Sequence, residues 1–187
     1  MRHDETLESR AASGDREAFG RLIQAGKADL YRFVRRYVGD ADEAYDLVQE
    51  AYASAWVAIR RYDPARPFEA WLRTIAINKC RDWSRRRKVR RWLTSAGPRD
   101  GVEAASVRQD EPAPDDAVAS RELLDALDRA VVALPSRLKE PLLLTAIDEM
   151  SQAQAAAVLG VTVKTIETRV ARARCRLAQA LAPLRDA

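Results

Sequence analysis

The sequence predicts an all-α protein made of two small helical domains on a linker, and three observations carry that prediction. Large apolar residues recur at three- and four-residue spacing through most of residues 4–92 and again from Ser120 to Leu181, the period of a helix packed on one face. Between these stretches TSAGPRDGVEAASVRQDEPAPDDA, residues 94–117, holds Gly, Pro, Ser and acids with few large apolar side chains, a linker composition. Charge divides the chain in the same way: residues 1–92 carry a net +6, residues 93–118 a net −4 and residues 119–187 a net +2. The expected organisation is therefore a first domain over 1–92, an acidic flexible linker over 93–118 and a second domain over 119–187. No segment calls for a strand.

Composition removes several classes of function. At 187 residues with 47% hydrophobic and 32% charged side chains, the chain can bury a core and remain water-soluble. Cys80 and Cys175 are isolated and His3 is the only histidine, so a zinc site, a histidine-based triad and a disulfide framework are not expected. No apolar run approaches the roughly 20 residues of a membrane span. MRHDETLESR lacks the apolar segment of a signal peptide, so a cytoplasmic location is expected. No cofactor motif is present, and a phosphate-binding glycine loop is missing.

Taken in order, residues 4–13 read as a short helix ending near Ser13-Gly14. Asp15 suits the N-cap of a second helix, whose Phe19, Leu22, Ile23, Leu30, Phe33, Val34 and Tyr37 share a face up to Gly39. Gly26 within it costs about 1 kcal/mol relative to Ala and allows a break there. Asp40 caps a third helix through about Arg61, with Tyr45, Val48, Tyr52, Ala55 and Ile59 expected inside. Its polar face gathers Asp42, Asp46, Gln49 and Glu50, an acidic patch in an otherwise basic domain.

After the turn Asp63-Pro64-Ala65-Arg66-Pro67, a fourth helix places Phe68, Trp71, Leu72, Ile75 and Ala76 on one stripe and Arg73, Thr74, Asn78, Arg81 and Arg85 on the other face. It ends in the basic run from Arg85 to Arg91. Alone, this stretch fits two readings equally. One is a core helix with a solvated basic end. The other is a nucleic-acid surface, where cations neutralise phosphates and rings such as Tyr62, Trp71 and Trp83 stack on unpaired bases at about 1–3 kcal/mol each. Trp71 also lies on the apolar stripe.

In the second domain, Leu123, Leu124, Leu127, Val131 and Leu134 mark one helix up to Pro135. Ser136 is positioned to cap the next, which contains Pro141. Ser151 and Gln154 form a capping-box pattern before a helix from Gln152 to Leu159, rich in small residues. Gly160 ends it, and Thr162 caps a longer helix from Val163 to about Leu181. Ile166, Val170, Ala173 and Leu177 form its inner stripe. Lys164, Thr165, Glu167, Thr168, Arg169 and Arg172 lie on its outer face. A short helix, a glycine turn and a longer basic helix make a helix-turn-helix, whose second helix enters the major groove. There arginines suit phosphates or guanine edges, and a glutamate can accept from cytosine.

These motifs together resemble the extracytoplasmic-function (ECF) sigma factors of the sigma-70 family. Asp46-Leu47-Val48-Gln49-Glu50-Ala51 resembles that family's core-polymerase motif. Phe68 through Asn78 resembles its promoter-melting helix, and Ala155 through Arg169 its DNA-recognition element. The resemblance implies a promoter-specificity subunit of bacterial RNA polymerase, and so not an enzyme. Asp46, Gln49 and Glu50 would dock on core polymerase, at its beta-prime clamp and beta subunits. Tyr62, Arg66, Trp71, Thr74, Asn78, Lys79, Arg81, Arg85 and Arg86 would hold the −10 element as a single strand. Lys164, Thr165, Glu167, Thr168, Arg169 and Arg172 would read the −35 element as duplex. An anti-sigma factor is a further implied partner. The run Asp148-Glu149-Met150-Ser151 departs from the family's commoner Gly-Leu-Ser approach. Two other readings of the residues stay open here: a free-standing regulator that binds duplex DNA through residues 149–181, and an enzyme.

Overall fold

The computed structural model describes residues 6–94 and 115–185. Among them are eight α-helices, one 3-10 turn and no strand. The all-α expectation is therefore met. Helix α1 spans Leu7–Ala12, α2 Arg16–Val38, α3 Ala41–Ala58, with the 3-10 turn Ile59–Arg61, and α4 Phe68–Thr94. The second half contains α5 Asp115–Ala133, α6 Ser136–Ala146, α7 Gln152–Leu159 and α8 Val163–Arg185.

Local chemistry sets these ends. Asp15 accepts from the amides of Glu17 and Ala18, and Asp40 from that of Glu43, satisfying donors that a helix start leaves open. Helix α2 runs through Gly26 without a break, because tertiary packing of its buried face outweighs the local cost of one glycine. Gly39 ends it in the left-handed conformation at φ 86°. Helix α6 differs from expectation at its start: Pro135, not Ser136, stands at the N-cap, and no side chain caps it. Across the expected linker, 93–118, α4 reaches Thr94 and α5 begins at Asp115. The first breakers after the basic run are Gly97 and Pro98, and Pro114 immediately precedes α5. The remainder of that linker lies outside the described residues.

The first four helices enclose Phe33, Val34, Tyr37 and Val38 of α2, Leu47, Val48, Ala51 and Ala55 of α3, and Leu72, Ala76, Ile77, Cys80 and Trp83 of α4. The last four enclose Val131, Leu138, Leu142, Leu143, Leu144, Ile166, Val170 and Ala173. The two cores are continuous, because α2 packs on α5 and α6 while α4 packs on α7. At Gly39 the two halves come close. A Cβ there would stand 2.7 Å from Cγ2 of Val132 on α5, nearer than such atoms pack.

Candidate nucleic-acid and polymerase interface

Asp46, Gln49 and Glu50 all lie on the exposed face of α3, as its period requires once Ala44, Leu47, Val48 and Ala51 are buried. Tyr45 is the difference from expectation. It projects from the same exposed side at 58% accessibility, so the acidic face carries an exposed aromatic. The buried stripe of α3 is formed instead by Ala44, Leu47, Val48, Ala51 and Ala55, against which α2 and α4 pack. Glu50 is partly engaged, with Lys79 of α4 3.6 Å away. The two expected sites on the first domain therefore share a border.

The Pro-flanked loop is a small aromatic frame. Tyr62 is only 4% exposed, and its hydroxyl donates to the Arg66 carbonyl at 2.5 Å. Its ring packs on Phe68 and Trp71, at 5.5 Å and 4.9 Å between centroids. Burial pushes its phenol up to about 12. Tyr62 thus shapes the loop and presents no free ring face. Trp71 is half-buried on the same cluster. Trp83 is buried, and its indole N–H donates to Glu43 at 2.8 Å. Arg66 projects outward, with Asp63 3.8 Å away. In the loop the rings thus go mainly to the core, and Arg66 stays at the surface.

Along the polar face of α4 the placements diverge. Asn78, Arg85 and Arg86 are exposed, and Arg85 bonds Asp82 one turn earlier. Thr74 donates to the Ala70 carbonyl at 3.1 Å and lies 3.5 Å from the Val158 carbonyl of α7. Arg81 makes a two-pronged pair with Glu140 of α6, Nε to Oε1 at 2.8 Å and Nη2 to Oε2 at 2.6 Å. Arg73, expected on the open face, is buried at 5%. Its Nη2 donates to Asp148 at 2.9 Å, and its guanidinium lies 4.8 Å from the Phe33 ring. The partners Glu140 and Asp148 belong to the second domain, and no sequence pattern pairs them with α4. The only signal was the unusual acidic run at Asp148-Glu149.

Magnitudes separate the two ion pairs. Arg73 and Asp148 both lose their water, a cost of roughly several kcal/mol per ion that mutual attraction offsets only with good geometry. Here the geometry is imperfect: Arg73 Nε lies 2.8 Å from Asp148 Oδ2 but is not aligned for a hydrogen bond, and Nη1 has no hydrogen-bond partner. Burial accordingly pushes the Asp148 carboxyl up to about 6, against the pull of Arg73. Arg81 keeps 38% of its side chain in solvent, and its fork matches both carboxylate oxygens. That hydrogen-bonded carboxylate raises its affinity for the proton. The Arg81–Glu140 pair is the firmer contact.

Beside it, Lys139 is buried and donates to two helix-end carbonyls, Tyr37 of α2 at 2.9 Å and Val132 of α5 at 2.7 Å. Burial lowers its ammonium to about 8. Cys80 is buried and free, with its thiol pushed up to about 12, so packing and not reactivity accounts for it. Cys175 is free and exposed.

The second domain forms a helix-turn-helix at atomic detail. Ser151 and Gln154 make the reciprocal capping box at 3.2 Å and 2.8 Å. Gly160 turns the chain at φ 65°, and Thr162 accepts from the Thr165 amide. Ile166, Val170 and Ala173 face inward. Lys164, Thr165, Thr168, Arg169 and Arg172 line one shallow surface hollow on α8. Glu167 borders it, 3.4 Å from Lys164. Among the described residues no His, Cys, Asp and Glu gather as a metal site, and no helix is long and apolar enough to cross a membrane.

An open basic recognition helix joined to an acidic-and-basic helical bundle defines a DNA-binding transcription factor. Residues 22–90 match Sigma-70 region 2, and residues 124–177 match Sigma-70, region 4. The RNA polymerase sigma factor CnrH of Cupriavidus metallidurans is 40% identical over 95% of this chain and 94% of its own length. The ECF RNA polymerase sigma factor SigW of Bacillus subtilis is 32% identical over 91% of this chain and 92% of its own. The structure of CnrH in complex with the cytosolic domain of CnrY superposes with a TM-score of 0.70, at 33% identity, over 96% of this chain and 97% of that one. Sigma factor RpoE in complex with the anti-sigma factor NepR from Bartonella quintana gives 0.69, at 25% identity, over 89% and 98%. The chain belongs to the sigma-70 family, as an RNA polymerase sigma factor of the ECF type. It acts in promoter-directed initiation of transcription, with RNA polymerase and promoter DNA as its partners.

Proposed function

We propose that the chain divides this work between a first domain over 1–92 and a second over 119–187, joined by 93–118. Asp46, Gln49 and Glu50, with Tyr45 beside them, form the docking face for core polymerase. The charge supports this: an acidic, exposed helix face with an aromatic in it suits a basic partner helix. Arg66, Asn78, Lys79, Arg81, Arg85 and Arg86 hold the displaced −10 strand, and Thr74 lines its path. Tyr62 and Trp71 hold the loop in shape for an unstacked base. Lys164, Thr165, Glu167, Thr168, Arg169 and Arg172 read the −35 duplex.

The observation that carries this reading is the open hollow on α8, with three cations and two hydroxyls on one helix face behind a capped turn. That is the surface a major-groove helix presents. The chain is read as a transcription factor of the cytoplasm and not as an enzyme. CnrH was solved with the cytosolic domain of CnrY and RpoE with the anti-sigma factor NepR, and an anti-sigma partner fits this chain. Run-off transcription with core polymerase on a pool of genomic promoter fragments tests the reading. Specific transcripts are expected only with both components. Tight sequence-specific duplex binding by the free chain, with no gain from polymerase, would instead make it a free-standing regulator.

A further inference from the structure

We propose that the cleft between α2, α4 and the segment joining α6 to α7 binds a small molecule that carries an ammonium group beside a carbonyl or carboxylate oxygen, with an apolar remainder. That is the chemistry of a free α-amino acid or its amide. None of the polar groups in the cleft is among those proposed to meet polymerase or DNA.

The cleft holds about 300 Å3, the small end of the range for ligand sites. Leu22 and Leu30 of α2, Phe68 and Leu72 of α4 and Met150 give it an apolar wall. Arg73 and Asp148 line it too, with only 6% and 3% of their side chains exposed. Their mutual contact leaves atoms over. Arg73 Nη1 is a buried donor and Asp148 Oδ2 a buried acceptor, and the protein gives neither a hydrogen bond. Native folds leave few such groups, so each asks for a physical reason. An oxygen next to an ammonium group supplies an acceptor for Nη1 and a donor for Oδ2 together. The charge agrees. The carboxylates of Asp29, Glu69, Asp148 and Glu149 stand against the guanidiniums of Arg32 and Arg73, four against two, an excess that favours the ammonium group.

Two backbone features converge on the same cleft. Gly26 lies inside α2, where glycine weakens a helix. No close packing requires it, because a Cβ there would meet only Cγ of Glu69, at 3.8 Å. Gly26 lines the cleft, and a long side chain in its place would fill it. Glu149 holds φ 53°, a conformation in which glycine is at ease and glutamate is strained. The chain thus keeps a carboxylate at the edge of the cleft at a local cost, as strained residues do at binding sites.

The full chain is titrated with L-leucine and with L-leucinamide, by calorimetry and by thermal unfolding. Isoamylamine, which lacks the oxygen, and 4-methylpentanoate, which lacks the ammonium group, are run beside them. Saturable binding of leucine or leucinamide is expected, with the melting temperature raised by about 3–6 °C at ten times Kd. The tighter of the two tells a free amino acid from an amide. Isoamylamine and 4-methylpentanoate are expected to bind at least about tenfold more weakly, since each leaves one buried group unmet. Asp148→Asn is expected to weaken binding by about the same factor. Gly26→Ala is expected to keep binding and Gly26→Met to abolish it, and both are expected to retain the helical circular dichroism of the native chain. No binding of leucine or leucinamide at about 10 mM overturns the site. So does equal binding of all four probes, or unchanged binding by Gly26→Met.

Discussion

Helices α4 and α8 are both long and basic, yet they meet their surroundings in opposite ways. The outer face of α8 carries Lys164, Arg169 and Arg172 around an open hollow, with only Glu167 as an acidic neighbour on the helix. The polar face of α4 is crowded by acids: Glu140 holds Arg81, Asp148 holds Arg73 and Glu50 meets Lys79. A helix that reads duplex DNA needs no change in its target beyond docking, so an open surface serves it. On the assignment proposed above, α4 takes a single strand whose bases are already unstacked, and its cations meet carboxylates of the fold itself. The difference teaches that net charge does not locate a working surface. What matters is whether the fold has already supplied the counter-charge.

The comparison is broken most severely from the side that belongs to neither helix. Asp46→Arg with Glu50→Arg places cations where a basic partner is expected to dock, and like charges across an interface cost several kcal/mol. Association with core polymerase is expected to fall more than about a hundredfold in a pull-down or titration, with duplex binding by α8 unchanged. Normal core binding would remove the docking assignment.

Arg169→Ala tests the open helix. Loss of one bidentate base or phosphate contact costs about 1–3 kcal/mol, so −35 duplex binding by the holoenzyme is expected to weaken roughly 5- to 150-fold by footprinting.

The covered helix predicts a pH effect. Asp148 faces Arg73, Asp29 and Arg32, and burial lifts its carboxyl from 3.8 to about 6. The folded chain then binds this proton more tightly than the unfolded one. The stability it contributes is fully present below pH 3.8 and is lost as pH rises through about 6, at no more than about 1.4 kcal/mol per pH unit. Thermal unfolding of the native chain relative to Asp148→Asn is expected to show this slope. Parallel curves would mean that the pull of Arg73 cancels the effect of burial and leaves the carboxyl at its ordinary value.

Asn78→Ala and Arg86→Ala then sharpen the roles along α4. Both are exposed, and each change is expected to cost about 1 kcal/mol. Asn78→Ala is expected to alter which −10 sequences open in run-off transcription. Arg86→Ala should weaken all promoters alike and reduce the salt dependence of binding by about one phosphate contact. Uniform behaviour of both would mean that Asn78 reads no base.

The smallest effect is expected at Glu149, which adopts φ 53° in the run that departs from the family's Gly-Leu-Ser. A side chain there is strained by about 1–2 kcal/mol, partly offset by the extra freedom glycine has when unfolded. Glu149→Gly is expected to raise the melting temperature by about 1–3 °C, as a gain below about 1 kcal/mol does in a chain of this size.

Most of the fold was legible because it depends on neighbours in sequence. Asp15, Asp40, Ser151, Gly160 and Thr162 each act within one helical turn, and the structure uses each as its residue type suggests. The outward face of α3 and the inner stripe of α8 follow from period alone. Tyr45 was misplaced because period 3.6 left it at the edge of the stripe, where the neighbouring helices decide its side. Tyr62 and Trp83 were legible as aromatics but not as buried ones: the loop folds Tyr62 back onto Phe68 and Trp71, and Trp83 finds Glu43 40 positions away.

By itself, the sequence determined the helices, most of their caps and the family to which the chain belongs. All of these rest on spacing within a few turns, where the geometry of the helix does the work. Only the tertiary structure decided which cations remain open. Arg81 and Glu140 lie 59 positions apart, and Arg73 and Asp148 75 apart. Pairs so distant meet because two cores merge at Gly39 and Tyr37, and no local pattern encodes that meeting.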